Sequence, residues 1–266
     1  MDMIGKMLKK NLPRVKNIQE ERDMTKAKYH CPICQDKGIV IDGDIAYQCQ
    51  CVKHQAALKR YLSANVTPVI ATYTFDKFQL SYYSSHMQIE PGGPTYRALA
   101  ERALQGAKEF VAGYLEQKNG TGLLLEGNVG SGKTFLAGAV INALIEQEKQ
   151  VLFLVVPEFL DDLRATYQKQ GEFSEAELMD AARKAEVLVL DDLGAHNFTD
   201  WTQNKIFSLI NYRTNHGLPC VITTNLSIPE MNEVVGIRTV SRIIEMCKIY
   251  RLYADEDIRV VLHRGR

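Results

Sequence analysis

The sequence predicts an α/β fold: a parallel sheet covered by helices, preceded by a small cysteine-bearing unit. Three observations predict it. Beyond about Thr95, short apolar runs alternate with helical patterns, the order that builds a parallel sheet covered on both faces. One such run, Leu123-Leu124-Leu125, leads through the glycine-rich turn Gly127-Asn128-Val129-Gly130-Ser131-Gly132 into a helical run opening at Lys133-Thr134. Upstream, Cys31, Cys34, Cys49 and Cys51 fall in two tight pairs.

Taken in order, residues 96–118 read as an amphipathic helix ended by Asn119-Gly120, and 123–125 as a strand. A helix at 134–147 precedes a strand at 151–155 and a helix at 158–168. Ser174 and Glu177 have capping-box spacing, which opens a helix reaching about Ala185. Residues 187–190 form a buried strand, and 201–215 a long helix stopped by Gly217 and Pro219. A strand follows at 220–223, then a helix at 239–246 and two short β-rich runs, 249–253 and 259–262. Cys220 in that strand and Cys247 in a helix read as core residues.

At 266 residues the chain suits one α/β domain plus a small appendage. Its zones are a basic arm with the cysteine cluster (1–60), a connector (61–94) and the main domain (95–266). Apolar residues make up 45%, enough for a full core, and 32 basic residues balance 32 acidic ones. Bulk charge therefore argues neither for nor against nucleic acid. No apolar run approaches the ~20 residues of a membrane span, and no signal peptide is visible. The chain reads as cytoplasmic, without a membrane partner, its cysteines reduced or metal-bound.

Gly127 to Thr134 fits the phosphate-loop pattern G-x-x-x-x-G-K-[ST]. Between a strand and a helix, such a turn surrounds a nucleotide's phosphates with backbone N–H groups and the positive helix end. The chain is therefore predicted to bind ATP or GTP. Lys133 would reach the terminal phosphates, and the Thr134 hydroxyl would bind Mg²⁺. Asp191 and Asp192 end the 187–190 strand, where Asp191 would hold the Mg²⁺ and Asp192 would orient or deprotonate the attacking water. Read alone they are a solvent-facing turn; beside a phosphate loop they are its acidic partner. Asn225 would position the same water, although in isolation Thr223-Thr224-Asn225 is a turn leaving a strand. Arg238 and Arg242 share a helix face, and Arg259 follows Asp255-Glu256-Asp257-Ile258. By spacing alone each is a surface ion-pair partner.

These motifs, in this order, resemble the AAA+ ATPases of the DnaC/DnaI helicase-loader group, which includes the transposition ATPase IstB. The resemblance rests on Gly127 to Thr134, Leu190-Asp191-Asp192-Leu193-Gly194, Ile210-Asn211-Tyr212-Arg213, Thr223-Thr224-Asn225-Leu226-Ser227 and Ser241-Arg242-Ile243. It extends back to Ala71-Thr72-Tyr73-Thr74-Phe75-Asp76-Lys77-Phe78, which resembles the group's entry into its ATPase domain. It implies a AAA+ sheet, ATP and Mg²⁺ as cofactors, and ATP hydrolysis. Lys133 and Thr134 match the Walker A pair, Asp191 and Asp192 Walker B, and Asn225 sensor I. Arg242 matches the arginine finger, reaching another subunit's ATP, and Arg259 is similar to the sensor II arginine. Two departures stand out. Asp192 replaces the Glu of many relatives, which implies slow turnover, and Ile258 replaces an aromatic residue before Arg259. The implied partners are a hexameric replicative helicase, single-stranded DNA and further copies of the chain when ATP is bound.

Cys31-Pro32-Ile33-Cys34 and Cys49-Gln50-Cys51 flank two turn signals, Asp36-Lys37-Gly38 and Asp42-Gly43-Asp44. Thiolate pairs joined through a hairpin fit a tetrahedral Cys₄ zinc site, with His30 and His54 as spare ligands; free thiols or a redox pair are the alternatives. The pattern is similar to the zinc module by which DnaI-like loaders dock on the helicase, and which the transposition ATPases usually lack. The expectation is a helicase loader acting in DNA replication. The alternative is an IstB-like transposition ATPase that remodels DNA and recruits a transposase.

Overall fold

The computed structural model describes residues 31–43, 45–52, 56, 66–116, 120–168, 173–195 and 198–264. The chain divides into two compact units, Met1–Ala57 and Leu58–Arg266. The basic arm, His30, His54 and the expected helix end at Lys118-Asn119 lie outside the described residues.

In the first unit, β1 (Ile39–Asp42) pairs antiparallel with β2 (Ile45–Gln48), Asp42 opposite Ile45. Gly43 makes the turn in the left-handed region, at φ 60°. The other turn signal does a different job. The Asp36 carboxylate accepts from the Cys31 amide at 2.8 Å, and the Lys37 amide donates to the Cys34 carbonyl at 3.0 Å, closing a knuckle around the first cysteine pair. Ile33, Ile39, Ile41, Ile45 and Tyr47 are all exposed. A two-stranded ribbon with so little buried apolar surface cannot hold itself together. Its interior is sulfur: Cys31, Cys34 and Cys49, with Val40 and Cys51 packed on them.

The second unit is built on a five-stranded sheet of order β4-β5-β6-β3-β7, every pairing parallel. The strands are β3 (Gly122–Glu126), β4 (Val151–Val155), β5 (Val187–Asp191), β6 (Cys220–Thr224) and β7 (Cys247–Arg251). Successive strand residues face opposite ways, so five consecutive buried positions in β3, β5 and β6 require cover on both faces. The helices are α1 (Tyr96–Leu115), α2 (Lys133–Ile145), α3 (Val156–Ala165), α4 (Glu175–Lys184), α5 (Asp200–Asn215), α6 (Ile228–Met231), α7 (Ile237–Met246) and α8 (Ile258–Arg264). Among the described residues no helix is long and apolar enough to cross a membrane.

Capping chemistry sets several helix starts. Thr95 caps α1, and Ser174 with Glu177 forms the expected box on α4. The same signal at Ser227 and Glu230 opens α6, a helix the sequence reading passed over, and a π-helical turn, Asn232–Gly236, then leads into α7. Two expectations are corrected at the C-terminal end. Cys247 begins β7 instead of sitting in a helix, so that strand starts two residues before its expected place. Residues 258–264 form α8, not a β-rich run. Ile258, Val260 and Val261 favour strands, but the Asp257 carboxylate accepts from the Arg259 amide at 2.9 Å and starts a helix.

One buried cation ties the layers together. Arg213 of α5 is fully buried. Its guanidinium donates to the carbonyls of Ala182, Arg183 and Ala185 at the end of α4, and to that of Pro219 before β6. The first three are orphan acceptors of a helix C-terminus, where a positive charge is favoured.

Candidate nucleotide-binding site

The 127–132 turn leaves the centre of the sheet and ends on α2. Gly132 is the N-cap, at φ 92°, a conformation costly for any residue with a Cβ. Gly127 is needed for a different reason: a Cβ there would lie 1.7 Å from the Leu252 carbonyl oxygen. The Asn128 side chain pins the loop to Ala254, donating to its carbonyl at 2.7 Å and accepting from its amide at 3.1 Å. From the connector, the Tyr83 hydroxyl donates to the Ser131 carbonyl at 2.8 Å.

Lys133 is buried, and its amine folds back onto the loop carbonyls of Gly127 (2.8 Å) and Asn128 (2.7 Å). Burial pushes the amine down to about 8, against the opposing pull of Asp192 and Asp191. Thr134 donates to both carboxylate oxygens of Asp191, at 3.0 and 3.1 Å. Burial, aided by the Asp192 charge, raises the Asp191 carboxyl, while the hydroxyls of Thr223 and Thr134 oppose the rise.

Thr223 braces both acids from the neighbouring strand, a role the sequence reading missed. Its hydroxyl donates to Asp191 Oδ1 at 2.6 Å and accepts from the Asp192 amide at 2.9 Å. Asp192 needs that support, because it sits in the left-handed region at φ 57°. Beside Gly132 lies an apolar pocket of about 140 Å³, lined by Phe78, Tyr82, Tyr83, Phe135, Ile258 and Leu262. Four of its lining side chains are aromatic, and Phe78 stacks on Tyr83 at 5.5 Å, a lining that can hold an apolar ring. Tyr73 stacks on Phe135 at 4.4 Å, and the Asn142 amide of α2 donates to the Ile70 and Tyr73 carbonyls at 2.8 and 2.6 Å. The connector's aromatics are thus part of the site's wall.

Residues 105–250 match the family model described as IstB-like ATP binding protein. The chain belongs to the IstB-like ATP-binding family. Among curated relatives, the replicative helicase loader DnaI of Bacillus subtilis is 29% identical over 182 residues, 64% of this chain. That match spans 56% of DnaI, little more than half its length. The B. subtilis protein YqaM is 28% identical over 292 residues, covering 90% of this chain and 87% of YqaM. The crystal structure of the DnaC helicase loader superposes with a TM-score of 0.56 at 24% identity, covering 70% of this chain and 99% of that one. The sheet of this IstB-like chain accordingly has the AAA+ P-loop fold.

The remaining residues singled out in this IstB-like sequence are spread more widely. Asn225 is exposed just beyond β6, the strand between the loop's strand and the acids' strand. Arg238 lies 4.3 Å over the Phe207 ring, and Arg242 pairs with Glu245 on its own helix at 2.7 Å. Among the described residues neither bonds to the loop or the acids. Arg259 is bidentate on Asp257, at 3.0 and 2.8 Å.

In the N-terminal unit the sulfurs of Cys31, Cys34, Cys49 and Cys51 all lie within 4.8 Å of one another. Two separations are 3.8 Å (Cys31–Cys49) and 3.4 Å (Cys34–Cys51). A tetrahedral Zn–S distance of about 2.3 Å implies sulfurs about 3.8 Å apart, so the four fit a zinc ion. The backbone N–H of Cys34, and that of Ile33, lower the Cys31 thiol to about 7, which favours the thiolate a metal needs.

Proposed function

We propose that this protein is an ATP-dependent loader of a hexameric replicative helicase. The observation that carries the nucleotide half is the Thr134 hydroxyl facing the Asp191 carboxylate at the mouth of a glycine cradle. Hard oxygen donors beside phosphate-binding N–H groups suit Mg²⁺. Mg·ATP supplies a hydrolysable phosphoanhydride when bound there. The chain's own groups do the rest. Loop N–H groups and Lys133 hold the phosphates, Thr134 and Asp191 hold the metal, and the aromatic pocket takes the purine. Asp192 accepts the water's proton from its braced turn, with Asn225 orienting that water. Arg259, and Arg242 of a second copy, bring positive charge to the transferring group. Asp reaches less far than Glu, which fits slow turnover and a function set by nucleotide state.

The cysteine unit supports a helicase loader over the second reading, an IstB-like transposition ATPase, which the family match favours on its own. Zinc would set the geometry of a hairpin whose isoleucines face outward, leaving apolar surface for a protein partner. Capture of a hexameric replicative helicase by the full chain, lost when zinc is removed by a chelator, is the expected result. Capture of a transposase without helicase would replace this function with the second one.

For single-stranded DNA, α3 and α5 bring together a basic–aromatic cluster that the sequence does not reveal. Arg164 and Lys205 each lie 5.6 Å from the Trp201 ring centre, and Tyr167, 63% exposed, meets Trp201 edge-on at 6.0 Å. Glu175 pairs with Lys205 and fixes its position. A half-buried ring beside an exposed one, flanked by cations, can stack unpaired bases, each worth about 1–3 kcal/mol. Trp201→Ala should therefore weaken binding of a labelled single-stranded oligonucleotide about tenfold or more by anisotropy, with ATP affinity unchanged. An unaltered oligonucleotide affinity would move the DNA surface elsewhere.

A further inference from the structure

We propose that Asp257 is a built-in restraint on Arg259 beside the phosphate loop: it holds Arg259 and the first turn of α8 against Gly130, and yields Arg259 to the phosphates of an arriving nucleotide. This rests on the reading of residues 127–134 as a phosphate site and deepens it.

The placement is tight. A Cβ built on Gly130 would lie 2.1 Å from the Asp257 carboxyl carbon, so that group packs directly on the loop's backbone. The Ile258 amide donates to the Gly130 carbonyl at 3.0 Å. On its other side Asp257 accepts from Arg259 three times, from the amide at 2.9 Å, Nε at 3.0 Å and Nη2 at 2.8 Å. Those side-chain bonds hold the Asp257 carboxyl below its usual range. Arg259 is otherwise open, 72% exposed, and it borders the cradle electrostatically. Its bonds to Asp257 chiefly keep it protonated, with the Asp192 charge helping, and its own charge adds to what lowers the Lys133 amine.

A glycine loop of N–H groups, a helix start and a lysine together attract an anion. Asp257 offers Arg259, at the edge of that field, one carboxylate. A polyphosphate offers more charge and more acceptor oxygens, and guanidinium pairs with phosphate in the same bidentate way. Arg259 thus exchanges one set of acceptors for another, with no covalent bond made or broken. Asp257, stripped of its cation beside the phosphates, is repelled from Gly130, and α8 moves with it. An exposed ion pair contributes little on its own, so the exchange is easily reversed. Because α8 also supplies Ile258 and Leu262 to the aromatic pocket, one short helix responds to both ends of the nucleotide.

The test uses the full chain with Asp257→Asn and Asp257→Ser, both of which keep a side-chain oxygen to cap α8. Each is titrated with a fluorescent nonhydrolysable ATP analogue and Mg²⁺, and hydrogen exchange is followed over residues 258–264. Both variants should bind the analogue about three- to fivefold more tightly than the parent, and the gain should vanish when Arg259→Ala is added. Exchange over 258–264 should rise in the parent on nucleotide binding and be high already in the empty variants. Unchanged or weaker affinity in both variants, or a gain that survives Arg259→Ala, overturns the proposal. A parent that binds no nucleotide instead sinks the phosphate-site reading itself, a result plainly different from these.

Discussion

Lys133→Ala should bind Mg·ATP at least about a hundredfold more weakly than the parent chain, with little loss of stability. The amine bonds to two loop carbonyls and, at 3.5 Å, to the Ser131 hydroxyl, groups that water can satisfy once it is gone. In the filled site it is a buried cation donating to phosphate oxygens, and each such charged hydrogen bond contributes about 1.5–3 kcal/mol. A pH effect follows from the same amine. Burial lowers it to about 8, and phosphates would raise that value. Affinity should therefore be full below about pH 8 and fall as pH rises above it, by roughly tenfold per unit until the bound-state value is reached. Calorimetric titration of parent and variant from pH 7 to about 9.5 checks both parts. Equal affinities at pH 7 would remove Lys133 from the phosphate site.

Arg213→Met should lower stability by about 3–5 kcal/mol, the largest loss from any single side chain outside the apolar core. Methionine fills similar volume but leaves the carbonyls of Ala182, Arg183 and Ala185 without their donor, while that of Pro219 keeps only the Leu188 amide at 3.3 Å. For a domain of this size that is a fall in Tm of about 10 °C or more. Nucleotide affinity per folded molecule should not change, because the guanidinium bonds to neither loop nor acids. A melting temperature within about 2 °C of the parent would show that the carbonyls are satisfied some other way.

How far the sequence carried depended on where each residue's conformation is decided. The strands at 123–125, 151–155 and 187–190 and the loop between β3 and α2 were legible because apolar runs and glycine spacing are local signals. The end of the chain was not, because Ile258, Val260 and Val261 have strand preferences that Asp257 and the loop override from outside the window. Thr223 looked like any strand threonine; only the pairing of β5 beside β6 turns its hydroxyl into the brace of two carboxylates. The Trp201 cluster draws on residues from Arg164 to Lys205, whose proximity no sequence spacing announces. The aromatic pocket did leave a trace, the run from Tyr73 to Phe78, but nothing local said what it would face.

The hydrogen bonds of Asn142 and Tyr83 have a mechanical consequence. They stitch the stretch from Ile70 to Tyr83 to the back of α2 and to the loop's own carbonyl at Ser131. Those bonds make the stretch and the nucleotide's seat one backbone framework, so a displacement of either is passed to the other.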